Sequence, residues 1–228
     1  MLNRTLIALL LLPLFVASLT LADDHAKAEK ENGEDDGFVP LFNGKDLSGW
    51  KTEGNWVVGE DGLLEIQPMK GKSGWKRYKD YLYTEKQYEN YVLSLEYKLP
   101  KNGNSGLHFR IADPGDDWSK IDPVAKGIEC QILDSHGKPD DKMSHHDCGG
   151  IIRTQAASKN MAKPAGEWNK MILTCDGQTI KVVLNGEEII NIQQDQGAMK
   201  DRPLKGYIAL QDHGQQSWFR DIKIKELD

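Results

Sequence analysis

The sequence predicts an all-β fold, an antiparallel sandwich of two sheets, on three observations. Short segments alternate apolar and polar side chains or are rich in β-branched residues, Gly, Asn, Pro or Asp bounds them, and no stretch carries a sustained helical stripe with caps. In chain order the segments are YVLSLEYKLP (91–100), SGLHFRIAD (105–113), GIECQILD (127–134), NKMILTC (169–175), TIKVVLNGEEIINI (179–192), GYIALQD (206–212) and SWFRDIKIKEL (217–227). The fifth contains Asn185-Gly186 between two apolar runs, which predicts a hairpin with a type I′ turn.

Two segments of different character precede these strands. Arg4, an apolar run from Leu6 to Ala17, small residues around Thr20 and Ala22, then Asp23 and Asp24 read as a secretory signal peptide over residues 1–22. The run is shorter than the roughly 20 residues of a membrane-spanning helix, and no Cys lies near the cleavage point to carry a lipid. The expected location is therefore periplasmic or secreted, with no membrane insertion after signal removal. Residues 23–36, DDHAKAEKENGEDD, hold seven acids, two lysines and no large apolar side chain, the composition of a disordered acidic linker. Residues 37–228 show no further linker or internal repeat and read as one domain. Its formal charge is −2 once the −5 of the linker and the +1 of Arg4 are taken from the total of −6. Nucleic acid and anionic membrane surfaces require a basic face and are not expected partners.

Alternation assigns side chains to faces. In 105–111, Leu107, Phe109 and Ile111 point one way, and His108 and Arg110 the other. In 127–133, Ile128, Cys130 and Ile132 face inward, and Glu129 and Gln131 face away. In 206–213, Ile208 and Leu210 oppose Tyr207, Ala209, Gln211 and His213. With these strands adjacent, His108, Arg110, Glu129, Gln131, Gln211 and His213 form one polar patch. A solvated sheet face is the plain explanation of such alternation, but that face is usually richer in Lys, Thr and Glu than in His, Gln and Arg.

GFVPLFNGKDLSGW (37–50), NGNSGLHFR (102–110), IECQILD (128–134), KPAGEWN (163–169), VVLNGE (182–187) and IALQDHG (208–214) stand in an order and spacing that resemble the 3-keto-disaccharide hydrolase family. The resemblance covers residues 37–228. It implies a concanavalin A-like jelly-roll sandwich and an oligosaccharide or glycoside substrate whose sugar has been oxidised to a ketone at C3. The ketone acidifies the C2 proton, so the C1 substituent leaves by elimination and water adds back. Such chemistry needs a base, an enolate stabiliser and an acid. On the polar face, Glu129 or His213 can take the proton, Arg110 can stabilise the enolate oxygen, and a His can protonate the leaving oxygen. Glu129, Arg110 and His213 are the expected catalytic set. His108, Gln131, Asp134 and Gln211, with Trp75 and Trp118 from polar loops, are the expected sugar-binding residues.

Two other readings compete. A glucanase-like glycosidase on the same fold would use Glu129, Gln131 and Asp134, but Gln131 cannot ionise, and a β-bulge would be needed to bring Asp134 to the face of Glu129. A non-catalytic carbohydrate-binding module would stack sugars on aromatic rings. Of Trp50, Trp56, Trp75, Trp118, Trp168 and Trp218, most read as core or loop anchors, and such a module has no need of His213 and Arg110 beside Glu129.

The loop 135–150 concentrates His136, Asp140, Asp141, His145, His146 and Asp147. Their spacing matches no closed metal motif. No metal ligand is assigned, and a divalent ion stays open as a cofactor. Three cysteines allow three pairings in an oxidising compartment. Cys130 lies on an apolar face as a buried thiol, which makes Cys148 with Cys175 the preferred pair.

Overall fold

The computed structural model describes residues 37–195 and 197–228. The expected signal peptide and acidic linker lie outside the described residues. Thirteen strands follow: β1 (Val39–Pro40), β2 (Trp50–Lys51), β3 (Trp56–Val58), β4 (Leu64–Ile66), β5 (Leu82–Thr84), β6 (Tyr91–Lys98), β7 (Asn104–Ile111), β8 (Ile128–Leu133), β9 (Asn169–Asp176), β10 (Thr179–Leu184), β11 (Glu187–Gln193), β12 (Tyr207–Leu210) and β13 (Trp218–Glu226). One sheet runs β11-β10-β9-β6-β13-β4-β3, with β1 also paired to β13, and the other runs β2-β5-β12-β7-β8. Every pairing is antiparallel. The architecture is the two-sheet β-sandwich that the alternation predicts. No helix of the described residues is long and apolar enough to cross a membrane.

The segment 179–192 is the expected hairpin: Asn185 and Gly186 both have positive φ, +51° and +89°, as a type I′ turn demands. The inner faces meet in one core, with Leu93, Leu95, Tyr97, Met171, Leu173 and Phe219 from the large sheet and Leu107, Phe109, Cys130, Ile132 and Leu210 from the small one, all at most 1 % exposed. Burying each Leu, Ile or Phe stabilises the fold by about 1.5–3 kcal/mol.

Two expectations fail here. The alternation of β7 does not continue past Phe109. His108 pairs with Ala209 and Ile111 with Tyr207, so two residues of β7 lie opposite Ile208 alone, a β-bulge. Arg110, at φ +51°, occupies the bulge and turns into the interior. It is fully buried, with Nη1 donating to Gln194 Oε1 and Nη2 donating to the Gly177 carbonyl at 2.6 Å. Ile111 is shifted to the face of His108, where it joins Tyr81, Tyr83, Ile121 and Tyr207 in a second apolar cluster. Nor do Cys148 and Cys175 pair: all three cysteines are free and buried. Cys148 Sγ sits 2.9 Å from the Tyr97 hydroxyl, while Cys175 pairs in register with Tyr91 at the far end of β6. Six residues of strand separate the two sites by roughly 20 Å, far beyond the ~7 Å Cα separation that a disulfide tolerates.

Candidate active site

The floor of the site is the outward face of β12, β7 and β8. Register places His108 beside Glu129 and Gly106 beside Gln131. Gly106 is required here: a Cβ at this position would stand 2.7 Å from Glu129 Oε1, so its absence lets the carboxylate lie across the backbone of β7. The same oxygen accepts a hydrogen bond from Gln211 Nε2 at 3.2 Å and lies 3.6 Å from His108 Nε2. His108 is fully buried beneath it, against the ring of Tyr81 at 5.3 Å. Burial pushes the His108 pKa down, opposed by the charge of Glu129.

Two walls rise from this floor and enclose a cleft of about 230 Å³. One wall carries His213, just after β12, and Trp75. The loop bearing Trp75 is seated by the Gly74 N–H donating to the His213 carbonyl at 3.0 Å, and by Arg77, which bridges Asp80 and Asp212. His213 is half-buried, and burial lowers its pKa against the opposing influence of Glu129 and Asp212.

The other wall comes from residues 145–153. Gly149, Gly150 and Ile152 bond to the backbone of β8 as a short added strand: Gly149 N–H to the Gln131 carbonyl at 2.8 Å, Gln131 N–H to Gly150 at 2.9 Å, and Ile152 N–H to Glu129 at 3.0 Å. Gly150 permits the tight fold of this segment on itself, since a Cβ there would come 2.8 Å from the His145 carbonyl oxygen. The next turn throws Arg153 into the cleft at φ +61°, its N–H donating to His145 Nδ1 at 3.0 Å. His146, whose ring centroid is 4.1 Å from that of His145, also lines the cleft. Among the described residues no carboxylate forms an ion pair with Arg153.

Asn104, Gln131 and Gln211 also line the cleft, and the side-chain oxygen of each is buried without a donor among the described residues. An unmet buried acceptor costs about 1–3 kcal/mol. Three around one hollow fit a ligand rich in hydroxyl donors.

The expected residues therefore separate. Glu129, Gln131, Gln211, His213 and Trp75 come together in the cleft, and His108 supports it from below. Arg110 does not reach it, because the bulge points it into the core. Asp134 lies past the end of β8, where Oδ2 accepts from the Asn102 N–H at 2.8 Å, so the carboxyl pair of a glucanase-like site is not assembled. Trp118 lines a separate hollow near Tyr83, with Lys51 Nζ 3.0 Å from its ring centroid. Trp50 and Trp56 are core residues whose indole N–H groups donate to the Leu41 and Asp80 carbonyls. Trp168 and Trp218 flank Lys98.

Five cleft residues are not among those expected: the polar Asn104, His146 and Arg153, and the apolar Val124 and Ile152. Asn104 was readable from the alternation, two residues before Gly106 and four before His108. Arg153 carried no local signal. The 135–150 loop does not gather its ligand-type side chains. Asp147 is held by Lys138 and Ser144, Asp140 accepts from the Asn160 N–H, and His136 bonds the Ala162 carbonyl. Among the described residues no group of three or more His, Cys, Asp or Glu converges to hold a metal ion.

Residues 37–225 match the 3-keto-alpha-glucoside-1,2-lyase-like domain. A 3-keto-disaccharide hydrolase of Bacteroides thetaiotaomicron is 26% identical over 231 residues, covering 85% of this chain and 79% of that protein. A solved Parabacteroides distasonis structure carried under the name glycosyl hydrolase is 25% identical with a TM-score of 0.69, covering 84% of this chain and 94% of that one. A Bacillus licheniformis β-glucanase shares the fold at 12% identity and a TM-score of 0.51, covering 83% of this chain and 97% of its own.

Proposed function

The chain belongs to the 3-keto-alpha-glucoside-1,2-lyase-like family, and from that premise we propose that it is an exported enzyme cleaving the glycosidic bond of 3-keto-disaccharides or related 3-keto-glycosides. The observation that carries the reading is the seating of the Glu129 carboxylate on the Gly106 backbone, with His213 and Arg153 on facing walls and three unmet acceptors between them.

In the proposed reaction the Glu129 carboxylate takes the C2 proton, and the electron pair of that C–H bond forms an enolate with the C3 ketone. The guanidinium of Arg153 stabilises the enolate oxygen, the role that sequence alone gave to Arg110. The enolate collapses, the C1–O bond breaks, and Glu129 returns its proton to the departing oxygen. Water then adds at C1 of the enone while His213 takes a proton from it and delivers that proton to C2. His213 suits a general base because burial favours its neutral form. Asn104, Gln131 and Gln211 orient sugar hydroxyls, and Trp75 offers an aromatic face at the rim.

The test is a paired assay of a native disaccharide and its 3-keto derivative. The keto substrate should be cleaved at least ~10²-fold faster, and Glu129→Gln should lower that turnover by ~10²- to 10⁴-fold with little change in melting temperature. Equal cleavage of both substrates, or full activity of Glu129→Gln, would end this reading.

A further inference from the structure

Beyond the rim of the cleft, residues 70–80 (KGKSGWKRYKD) carry five cationic side chains and one acid, a net +4 in a domain whose total is −2. This loop contributes Trp75 to the cleft and forms a second, open hollow of about 400 Å³ lined by Lys72, Ser73, Lys76, Arg77, Lys79 and Asp80. The cations differ in state. Arg77 bridges Asp80 and Asp212 and anchors the loop, although its Nη1 is buried without a protein partner. Lys79 meets Glu53 at 3.4 Å. Lys72 and Lys76 are exposed and, among the described residues, form no ion pair, and Lys76 Nζ lies 5.3 Å from the centroid of the Trp75 ring. Like charges gathered around one hollow repel one another, and an anion between them relieves that repulsion. Trp75, beside Lys76 in the same loop, lines the cleft, and Arg153 on the opposite wall adds a positive charge that forms no ion pair among the described residues.

We propose that the 70–80 loop is a binding subsite for anionic groups, carboxylate or sulfate, on the sugar units that extend past Trp75, so that the substrate is an acidic oligosaccharide. The subsite rests on the reading of the cleft as a glycoside site. An anionic group between Lys72 and Lys76, with Ser73 as hydroxyl donor, would complete the charge balance that the loop lacks.

The test is calorimetric binding to the full-length chain of three tetrasaccharides, one neutral, one of uronic acids and one sulfated, with a short single-stranded oligonucleotide as a polyanion control. At low salt the acidic sugars should bind about 10-fold more tightly than the neutral one, and the advantage should shrink as salt rises. Which acidic sugar gains identifies the anionic group. Lys72→Gln/Lys76→Gln should abolish the difference between acidic and neutral sugars. Equal affinities in the wild-type chain, retention of the preference in the double variant, or oligonucleotide binding as tight as the acidic sugars would overturn the proposal. Cleavage of a neutral 3-keto-disaccharide is measured alongside. Its failure with the binding preference intact would sink the catalytic reading and leave the subsite standing.

Discussion

Arg110 and Arg153 share a backbone anomaly and nothing else. Both are non-glycine residues in the left-handed region, at φ +51° and +61°. The bulge in β7 buries Arg110 completely and ties its guanidinium to Gln194 and Gly177, whereas the turn after Ile152 delivers Arg153 to the cleft, where no carboxylate among the described residues pairs with it. Strained backbone at the first builds a strut between sheets, and at the second it exposes a charge. A residue type and an unusual φ therefore do not identify a functional arginine; what its charge faces does.

That contrast is open to direct attack. The largest effect is expected from Arg110→Met, which strands the buried Gln194 acceptor at about 1–3 kcal/mol and also frees the partly exposed Gly177 carbonyl. The urea midpoint should fall clearly while turnover per folded molecule is kept. A wild-type midpoint with lost turnover would break the contrast from that side. Arg153→Gln should do the opposite, leaving the melting temperature in place and lowering kcat by ~10²- to 10³-fold, the usual cost of an oxyanion donor. If it unfolds the protein instead, Arg153 is the strut.

Gly106→Ala sharpens the comparison by moving the acid that Arg153 is meant to serve. The added Cβ lies 2.7 Å from Glu129 Oε1, so the flexible carboxylate shifts rather than the strand. Misplacement on the ångström scale costs about 10²-fold in rate, with a small change in stability. Unchanged kinetics would show that Glu129 does not need its seat.

The mildest test is pH. His213 has its pKa lowered by burial, and the proposed role needs the neutral imidazole. Its contribution to kcat/KM should therefore be full at pH 7–8 and should fall as acid passes below the ordinary value of about 6.5. A rate that rises between pH 7 and pH 5 would make His213 an acid. Stability should follow the same direction through His108, also lowered by burial. The unfolded chain takes up that proton first, so the contribution is present above about 6.5 and lost as pH falls through the folded value.

The long strands were legible because alternation persists over six to nine residues, and Glu129, Gln131, Gln211 and His213 were placed on one face by that rule alone. Strands β1 to β5 are two or three residues long, too short for a period to register. The bulge at Phe109–Arg110 was invisible for a different reason. It is set by pairing with β12, a partner some hundred residues away, and one inserted residue exchanges the faces of everything after it. The second wall shares that difficulty, since only the bonds of Gly149, Gly150 and Ile152 to β8 bring Arg153 near Glu129. Trp75 could be named as a rim residue from its polar loop, whereas Trp118, in an equally polar loop, packs elsewhere.

The added strand along β8 has one more effect. Without it, β8 would be the open edge of the five-stranded sheet, a row of bare N–H and C=O groups able to recruit the edge of another molecule. The segment that carries Arg153 into the cleft thus also covers that edge. Loss of its hold on β8, by proteolytic nicking or by a bulky residue at Gly150, would abolish the site and promote aggregation in the same event.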